Sequence, residues 1–480
     1  MQLLKAIYDS ETFRIQGHQL VDLLADQLAL MQKEEGPKAF DWKPPEEEYA
    51  YWSDRMNSAP QSTSNFLAEV VARSIRLHHP NYVGHQVSVV APPAALAGLA
   101  AAFLNNGSAI YEMGSASTAI ERWIVRRTCC QLGFPEGDGF LTSGGTLAMV
   151  SALLAARACQ LGGETFDTGT TNDWSVMASE ESHYCVARAV QVMGGGRLGL
   201  VKVPTDARFK MRIEQLDALF DHASSCGRKP FALVGSACTT STGSYDDLRA
   251  QAEFCRRKGI WFHVDGAHGA AVAFCPELVH KVSGIELADS AILDFHKMMM
   301  VPALSTAVLF RNAKHSWAAF HQKAQYLWDE HQEGDWYNLG KRTFECTKLM
   351  MSIKIAAIWR QYGVEAFAEY LRTVHQLATD FAERIRSRKD FELAVQPESN
   401  IVCFRYSKRN VSQASVDWMN AEIRRTLVES GAFYLVQTVV GGRTWLRTAL
   451  MNPFTTIKSL ENLLEQIATI GAESPMNGKQ

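Results

Sequence analysis

Ser290-Ala-Ile-Leu-Asp-Phe-His-Lys297, followed by Met298-Met299-Met300, is the stretch on which the reading of the chain turns. Residues 290–293 read as a short buried strand, which the chain leaves through Asp294, His296 and Lys297. Burying an ammonium group is costly, so a lone lysine past a strand end reads most simply as a surface residue. A second stretch changes that balance. Ile260-Trp-Phe-His-Val-Asp265-Gly-Ala-His268 is another buried-type strand that ends in an acid, 32 residues before the lysine. A strand-end carboxylate and a strand-end lysine on neighbouring elements suit one chemistry: a lysine that forms a Schiff base with pyridoxal phosphate, and a carboxylate that holds the pyridinium nitrogen.

The bulk properties are compatible with a soluble enzyme. The chain has 480 residues, which predicts two or three structural units, and 47% of them are apolar, enough for a large core. A net charge of −3 disfavours a general nucleic-acid or membrane-surface binder. Ten cysteines without a Cys-x-x-Cys spacing read as reduced thiols, hence a cytoplasmic protein. Residues 1–30 carry no basic segment leading into a long apolar run, so no secretory signal is expected. The greasiest stretch, Val89 to Leu104, contains Pro92-Pro93 and reads as the entry to a buried helix. His78 and His79 are adjacent and followed by Pro80, a poor geometry for convergent metal ligands; no metal is expected.

Along the chain, residues 11–33 show helical apolar spacing and read as an amphipathic helix within an N-terminal arm (1–75). Pro44-Pro45-Glu46-Glu47-Glu48 reads as a loop. Between about 138 and 310 strands alternate with helices: 139–142, 175–178, 198–203, 231–236, 260–264, 290–293 and 305–310. That alternation predicts an α/β fold with a mainly parallel sheet covered on both faces, in a large domain over 76–345. After 345 the texture changes to long helices, a strand at 401–406 and a hairpin turn at Gly441-Gly442, a smaller α+β domain over 346–480.

Several polar groups fall at strand ends, where ligands bind in open α/β sheets. Ser143-Gly144-Gly145-Thr146 joins a strand to a strong helix and can present N–H groups to a small phosphate ester. The nucleotide-triphosphate motif Gly-x-x-x-x-Gly-Lys-Ser/Thr is absent. His183 can stack on a flat ring, and Ala267 is small enough to lie against the other face. Asp265 can keep a ring nitrogen protonated. Ser236 is a further polar group on the same rim.

These motifs resemble those of the group II pyridoxal-phosphate-dependent amino acid decarboxylases, which act on glutamate, cysteine sulfinate, aromatic amino acids and diaminobutyrate. The matching residues are His78-His79-Pro80, Tyr111-Glu112-Met113, Ser143-Gly144-Gly145, His183-Tyr184, Thr239-Thr240 with Gly243, His263-Val264-Asp265-Gly-Ala267-His-Gly269 and His296-Lys297, in family order over most of the chain. The Asp-Gly-Ala-His-Gly and Asp-x-His-Lys-Met-Met variants look most like the bacterial L-2,4-diaminobutyrate decarboxylase branch. The resemblance implies fold-type I, the aspartate aminotransferase-like scaffold, and a homodimer. It implies that Lys297 carries the cofactor, that Asp265 partners the ring nitrogen, and that His183 and Ala267 flank the ring. Ser143, Gly144, Gly145, Ser236 and His296 would surround the phosphate and ring oxygen. Tyr326, on a loop beyond the lysine, would protonate the substrate carbon, and His85, Gln86 and Arg447 would face the substrate. Family members commonly carry Asn where this chain has Asp294. A carboxylate beside a phosphate is repulsive, so Asp294 is expected to face elsewhere or to meet a donor. The implied reaction is decarboxylation of an L-amino acid to its amine, with diaminobutyrate suggested by the branch and an acidic substrate by Arg447. The rivals are an oxidative deaminase or aldehyde synthase on the same scaffold, and a catalytically inactive paralogue that binds a partner.

Overall fold

The structure is a computed structural model that describes residues 1–33, 37–162, 169–320, 335–408 and 410–473. Its frame is a seven-stranded sheet of β1 (Asp138–Thr142), β2 (Trp174–Ser179), β3 (Leu200–Val203), β4 (Lys229–Ser236), β5 (Trp261–Asp265), β6 (Ser290–Asp294) and β7 (Thr306–Phe310). The order is β1-β7-β6-β5-β4-β2-β3. β7 pairs antiparallel with both β1 and β6, and all other pairs are parallel. The carboxyl ends of β1, β2, β4, β5 and β6 therefore share one edge of the sheet.

The sequence explains why these segments are strands. β1, β2, β5, β6 and β7 are buried at every position, as continuous apolar runs covered on both faces should be. The helix Gly145–Leu161 lies on the sheet with Ala148, Ala152, Ala155 and Ala156 in the core, beside Phe140, Trp174, Phe231 and Phe310. Alanines let the helix approach closely, and the aromatics fill the remaining depth. Polar groups inside the sheet are paired. Ser290 Oγ meets Trp261 Nε1 at 2.8 Å and His263 Nδ1 at 2.8 Å, so the histidine preceding Asp265 serves the β5–β6 contact.

The chain divides into two compact units. The larger comprises residues 86–379 and 395–402, and the smaller comprises 1–85, 380–394 and 403–480. The expected boundary near 345 lies just before helix Met351–Tyr362, which packs on helices Pro92–Leu104 and Tyr111–Gln131 and so belongs to the larger unit. The second sheet has β8 (Phe391–Leu393), β9 (Ile401–Tyr406), β10 (Val436–Val440) and β11 (Arg443–Ala449) in the order β10-β11-β9-β8. Gly441 and Gly442 both have positive φ, 58° and 71°, as a two-residue turn of this handedness requires.

Residues 44–48 depart from expectation. They open helix Pro45–Asn57 instead of forming a loop, with Pro45 in the first turn beside Glu46, Glu47 and Glu48. Proline fits a first turn because its missing N–H has no helical acceptor there, and acids are favoured at that end of the helix dipole. The helices Gln413–Ser430 and Ile457–Glu473 complete the C-terminal region.

Candidate active site

Lys297 stands on a short helix, Phe295–Met298, directly after β6. Its backbone is held from two directions. Ser88 donates its hydroxyl to the Lys297 carbonyl at 2.6 Å and its N–H to the His296 carbonyl at 3.2 Å, and the Phe295 N–H donates to the Ser305 carbonyl at 2.9 Å. The ammonium Nζ lies 3.0 Å from Asp294 Oδ2. Burial works against that charge, but Asp294 and then Asp265 outweigh it and hold the lysine pKa above its ordinary value.

Asp265 is the last residue of β5, and its Oδ1 accepts the Ala267 N–H at 3.2 Å. Desolvation raises its pKa against the pull of Lys297 and of that N–H, and Asp294 adds to the rise. A buried carboxylate in this condition gains most from a partner that brings a proton or a positive charge. His183 caps the start of helix Tyr184–Val192, where its Nδ1 accepts the Cys185 N–H at 3.3 Å. That bond leaves the proton on Nε2. Burial, aided by Lys297, pushes the His183 pKa down to about 4, so the ring is flat and neutral near pH 7.

These groups converge. A cavity of about 360 Å³ is lined by Ser143, Gly144, Gly145, His183, Asp265, Ala267, His296 and Lys297. Cys185, Cys238, Thr240, His268, Asp294 and Leu304 line it as well, and the sequence had assigned a role in it to none of these. Cys238 and Thr240 follow β4, and Leu304 precedes β7; only the assembled sheet edge puts them there. Ser236 is not in the lining. It ends β4 level with Asp265, and its N–H donates to Asp246 Oδ2 at 2.9 Å. Gln86 is not in the lining either.

Ser143 reaches the cavity, but its donors are already engaged. Its N–H and its hydroxyl both donate to Glu345 Oε1 at 2.9 Å, and the Thr142 hydroxyl joins them at 2.7 Å. Glu345 lies 202 residues away, so no local pattern could have singled it out. Of the two arrangements expected for Asp294, the structure has the one in which it meets donors. Thr306 Oγ1 donates to Oδ1 at 2.6 Å, while Lys297 and, at 3.6 Å, His296 Nε2 face Oδ2.

His85 and Arg447 belong to the smaller unit. Arg447 is buried on β11 opposite Val436, and His85 lies beside the Tyr434 ring. His85 is exposed on one side, yet desolvation on its packed side, with Arg447 and Arg424, lowers its pKa. Tyr326 lies outside the described residues.

The donor set fits pyridoxal phosphate. Gly144 takes φ +112°, a conformation that favours glycine, and turns the chain into helix Gly145–Leu161. The first N–H groups of a helix have no helical acceptors and favour a phosphate. A half-buried lysine and a buried carboxylate line the same cavity, suited to an aldehyde and a ring nitrogen.

The profile described as pyridoxal-dependent decarboxylase conserved domain matches residues 54–407. An aromatic-L-amino-acid decarboxylase of Bacillus atrophaeus is 25% identical over 97% of this chain and 96% of its own length. An aspartate 1-decarboxylase of Aliivibrio fischeri is 27% identical over 87% of this chain and 84% of its own. Among solved structures, the glutamate decarboxylase domain of the diaminobutyrate-pyruvate transaminase and L-2,4-diaminobutyrate decarboxylase from Vibrio parahaemolyticus superposes with a TM-score of 0.84, at 25% identity and 96% coverage of both chains. With a match that spans most of its length and a cavity furnished for the cofactor, the chain belongs to the pyridoxal-dependent decarboxylase family, as a group II amino acid decarboxylase of fold-type I.

Proposed function

We propose that this protein removes the α-carboxylate of an L-amino acid as carbon dioxide and releases the amine, with L-2,4-diaminobutyrate as the substrate. The observation that carries the reading is the meeting of Lys297, Asp265 and His183 in one cavity at the carboxyl edge of the sheet. Pyridoxal phosphate, when bound, supplies the electron sink that lets the bond from Cα to the carboxylate break. In this reading Lys297 Nζ holds the cofactor between turnovers. Asp265 keeps the proton on the ring nitrogen, and His183 and Ala267 confine the ring. Gly144, Gly145 and His296 serve the phosphate, with Ser143 and Ser236 in support. The Tyr326 hydroxyl returns a proton to Cα, and His85, Gln86 and Arg447 contribute to substrate recognition. The diaminobutyrate assignment rests on the likeness to the Vibrio parahaemolyticus domain. The buried Arg447 supports a second substrate reading, an acidic amino acid, because a guanidinium suits a side-chain carboxylate.

The same reading makes the protein a cytoplasmic homodimer. No disulfide joins any of the ten cysteines, and no helix among the described residues is long and apolar enough to cross a membrane. Helix Pro92–Leu104 exposes Leu96, Leu99, Phe103 and Leu104, a greasy surface that a second copy of the chain would cover.

Five outcomes are expected. Lys297→Ala abolishes the borohydride-reducible cofactor adduct, its visible absorbance and turnover; a reducible adduct that survives assigns the attachment to another lysine. Asp265→Ala, saturated with cofactor, loses several orders of magnitude in carbon dioxide release, each tenfold loss being about 1.4 kcal/mol of barrier; near-normal turnover removes Asp265 from the mechanism. Carbon dioxide, amine, aldehyde and oxygen uptake measured across a panel of diaminobutyrate, aspartate, cysteine sulfinate and aromatic amino acids identify substrate and product together. Amine is the expected main product, and Tyr326→Phe lowers its share in favour of aldehyde; aldehyde as the main wild-type product selects the oxidative rival. Light scattering gives a dimer, and a fully active monomer contradicts the assembly.

A further inference from the structure

Asp294 has no task in the reading above, yet it is the most confined charge in the cavity. It ends β6 directly opposite Thr306 of antiparallel β7, and the cross-strand pairing directs the Thr306 hydroxyl to Oδ1 at 2.6 Å. Oδ2 points toward Lys297 Nζ, 3.0 Å away, and its side chain is only 1% exposed. The glycine turn presses on the same oxygen: a Cβ on residue 145 would stand 3.1 Å from Oδ2. The carboxylate thus occupies the space between the start of helix Gly145–Leu161 and the lysine.

Two consequences follow from its charge. An amine attacks a carbonyl carbon only after losing its third proton, and a desolvated carboxylate at contact distance favours the ammonium form. A carboxylate beside a helix start also competes with an incoming phosphate for the same positive end of the dipole. The other groups facing the lysine do not supply this contact. Asp265, from β5, adds to the field at the lysine, but it makes no contact with Nζ comparable to that of Asp294, and its Oδ1 accepts the Ala267 N–H. His183 is kept neutral by burial, and Cys185, from the same helix, is raised far above its usual thiol range. His268, beyond β5, bonds Asn400 at 2.7 Å, and His296 turns its Nδ1 to the Ser305 backbone.

We propose that Asp294 is a positioning residue for Lys297: it holds the uncoupled lysine as an ammonium ion at the head of the Gly145 helix, so that cofactor attachment accelerates as the pH rises. The inference rests on the reading that Lys297 is the attachment point. In the step concerned, the ammonium gives up a proton and Nζ adds to the cofactor's aldehyde carbon. The carbonyl oxygen leaves as water with that proton returned, and the nitrogen keeps one proton in the linkage. Charge is conserved overall, and the ion pair with Asp294 is opened only while the bond forms.

The test uses the full-length enzyme, stripped of cofactor and reloaded with saturating pyridoxal phosphate, with visible absorbance followed from about pH 6 to about pH 9.5. Wild type should attach cofactor about tenfold faster per pH unit across this range, as expected when one proton must leave. Asp294→Asn, nearly the same shape without the charge, should attach cofactor about tenfold faster than wild type near pH 6.5 and stay faster up to the top of the range. Identical profiles, or slower attachment in Asp294→Asn at all pH values, overturn the proposal. A measurement on wild type alone guards against a variant that fails to fold. Acetylation of Lys297 in the stripped enzyme, read by peptide mass spectrometry, should show a pH midpoint above that of the exposed lysines, and an equal or lower midpoint overturns the proposal. Borohydride reduction and peptide mapping separate the two readings. An adduct on another lysine removes the Lys297 assignment, whereas an adduct on Lys297 with unshifted profiles removes only the role of Asp294.

Discussion

A half-buried ammonium ion at the rim of a mainly parallel sheet is the constraint around which the larger unit is arranged. Asp294 faces Lys297 as its counter-charge at 3.0 Å. That carboxylate is itself buried and needs partners of its own. Thr306 satisfies its second oxygen, and Ser88 and Ser305 fix the backbone that carries the lysine. Ser305 and Thr306 come from the start of β7, whereas Ser88 comes from the segment before helix Pro92–Leu104. The pair is therefore stable only when the sheet and the segment before helix Pro92–Leu104 are both in place.

The antiparallel strand β7 is what brings these partners together. Its first residue lies level with Asp294 on one side and with Thr142 on the other. It therefore inserts Thr306 between the end of β6 and the end of β1, and it carries Ser305 to the Phe295 N–H. Because β7 runs against its neighbours, β1 beyond it is parallel to β6. The Ser143-Gly144-Gly145 turn thus opens on the same edge as the lysine, although about 150 residues separate them in sequence. A parallel β7 would have placed its own carboxyl end at this rim and its first residues at the other edge.

The seven strands were legible because burial on both faces demands continuous apolar runs, and few other segments of this chain supply them. β3 was read as starting two residues early because Arg197–Gly199 forms a helical turn that its composition does not announce. The helix at Pro45 was read as a loop because two prolines and three acids favour both a turn and a helix start, and only the residues that follow decide between them. In the site, residues at a change of periodicity could be placed on the rim from the sequence: Asp265 ends β5, Lys297 and the glycine turn follow strands, and His183 caps a helix start, and all four line one cavity. Groups that arrive from distant segments could not. Glu345 reaches Thr142 and Ser143 from beyond β7. Nor does a strand end alone put a residue in the lining: Ser236 ends β4, donates its N–H to Asp246 and does not line the cavity. Sequence position tells which rim a residue occupies; which way it faces depends on what packs across from it.

The two acids of the cavity show how much that facing decides. β5 and β6 are adjacent and parallel, and Asp265 is level with Ile292. Asp294 is two residues farther along, which is about 6.6 Å at strand spacing, and an even offset keeps it on the same face of the sheet as Ile292. The acids are therefore staggered along the direction of the strands. Asp265 lies deeper, and Asp294 lies at the level of the glycine turn. In the proposed reading the deeper carboxylate would face the nitrogen of a flat ring and the helix start its phosphate, which Asp294 would repel were its charge not matched by Lys297. The lysine proposed to carry the cofactor is thus also the counter-charge of the acid beside Gly145, so the pair must stay in register for the helix start to remain open to an anion.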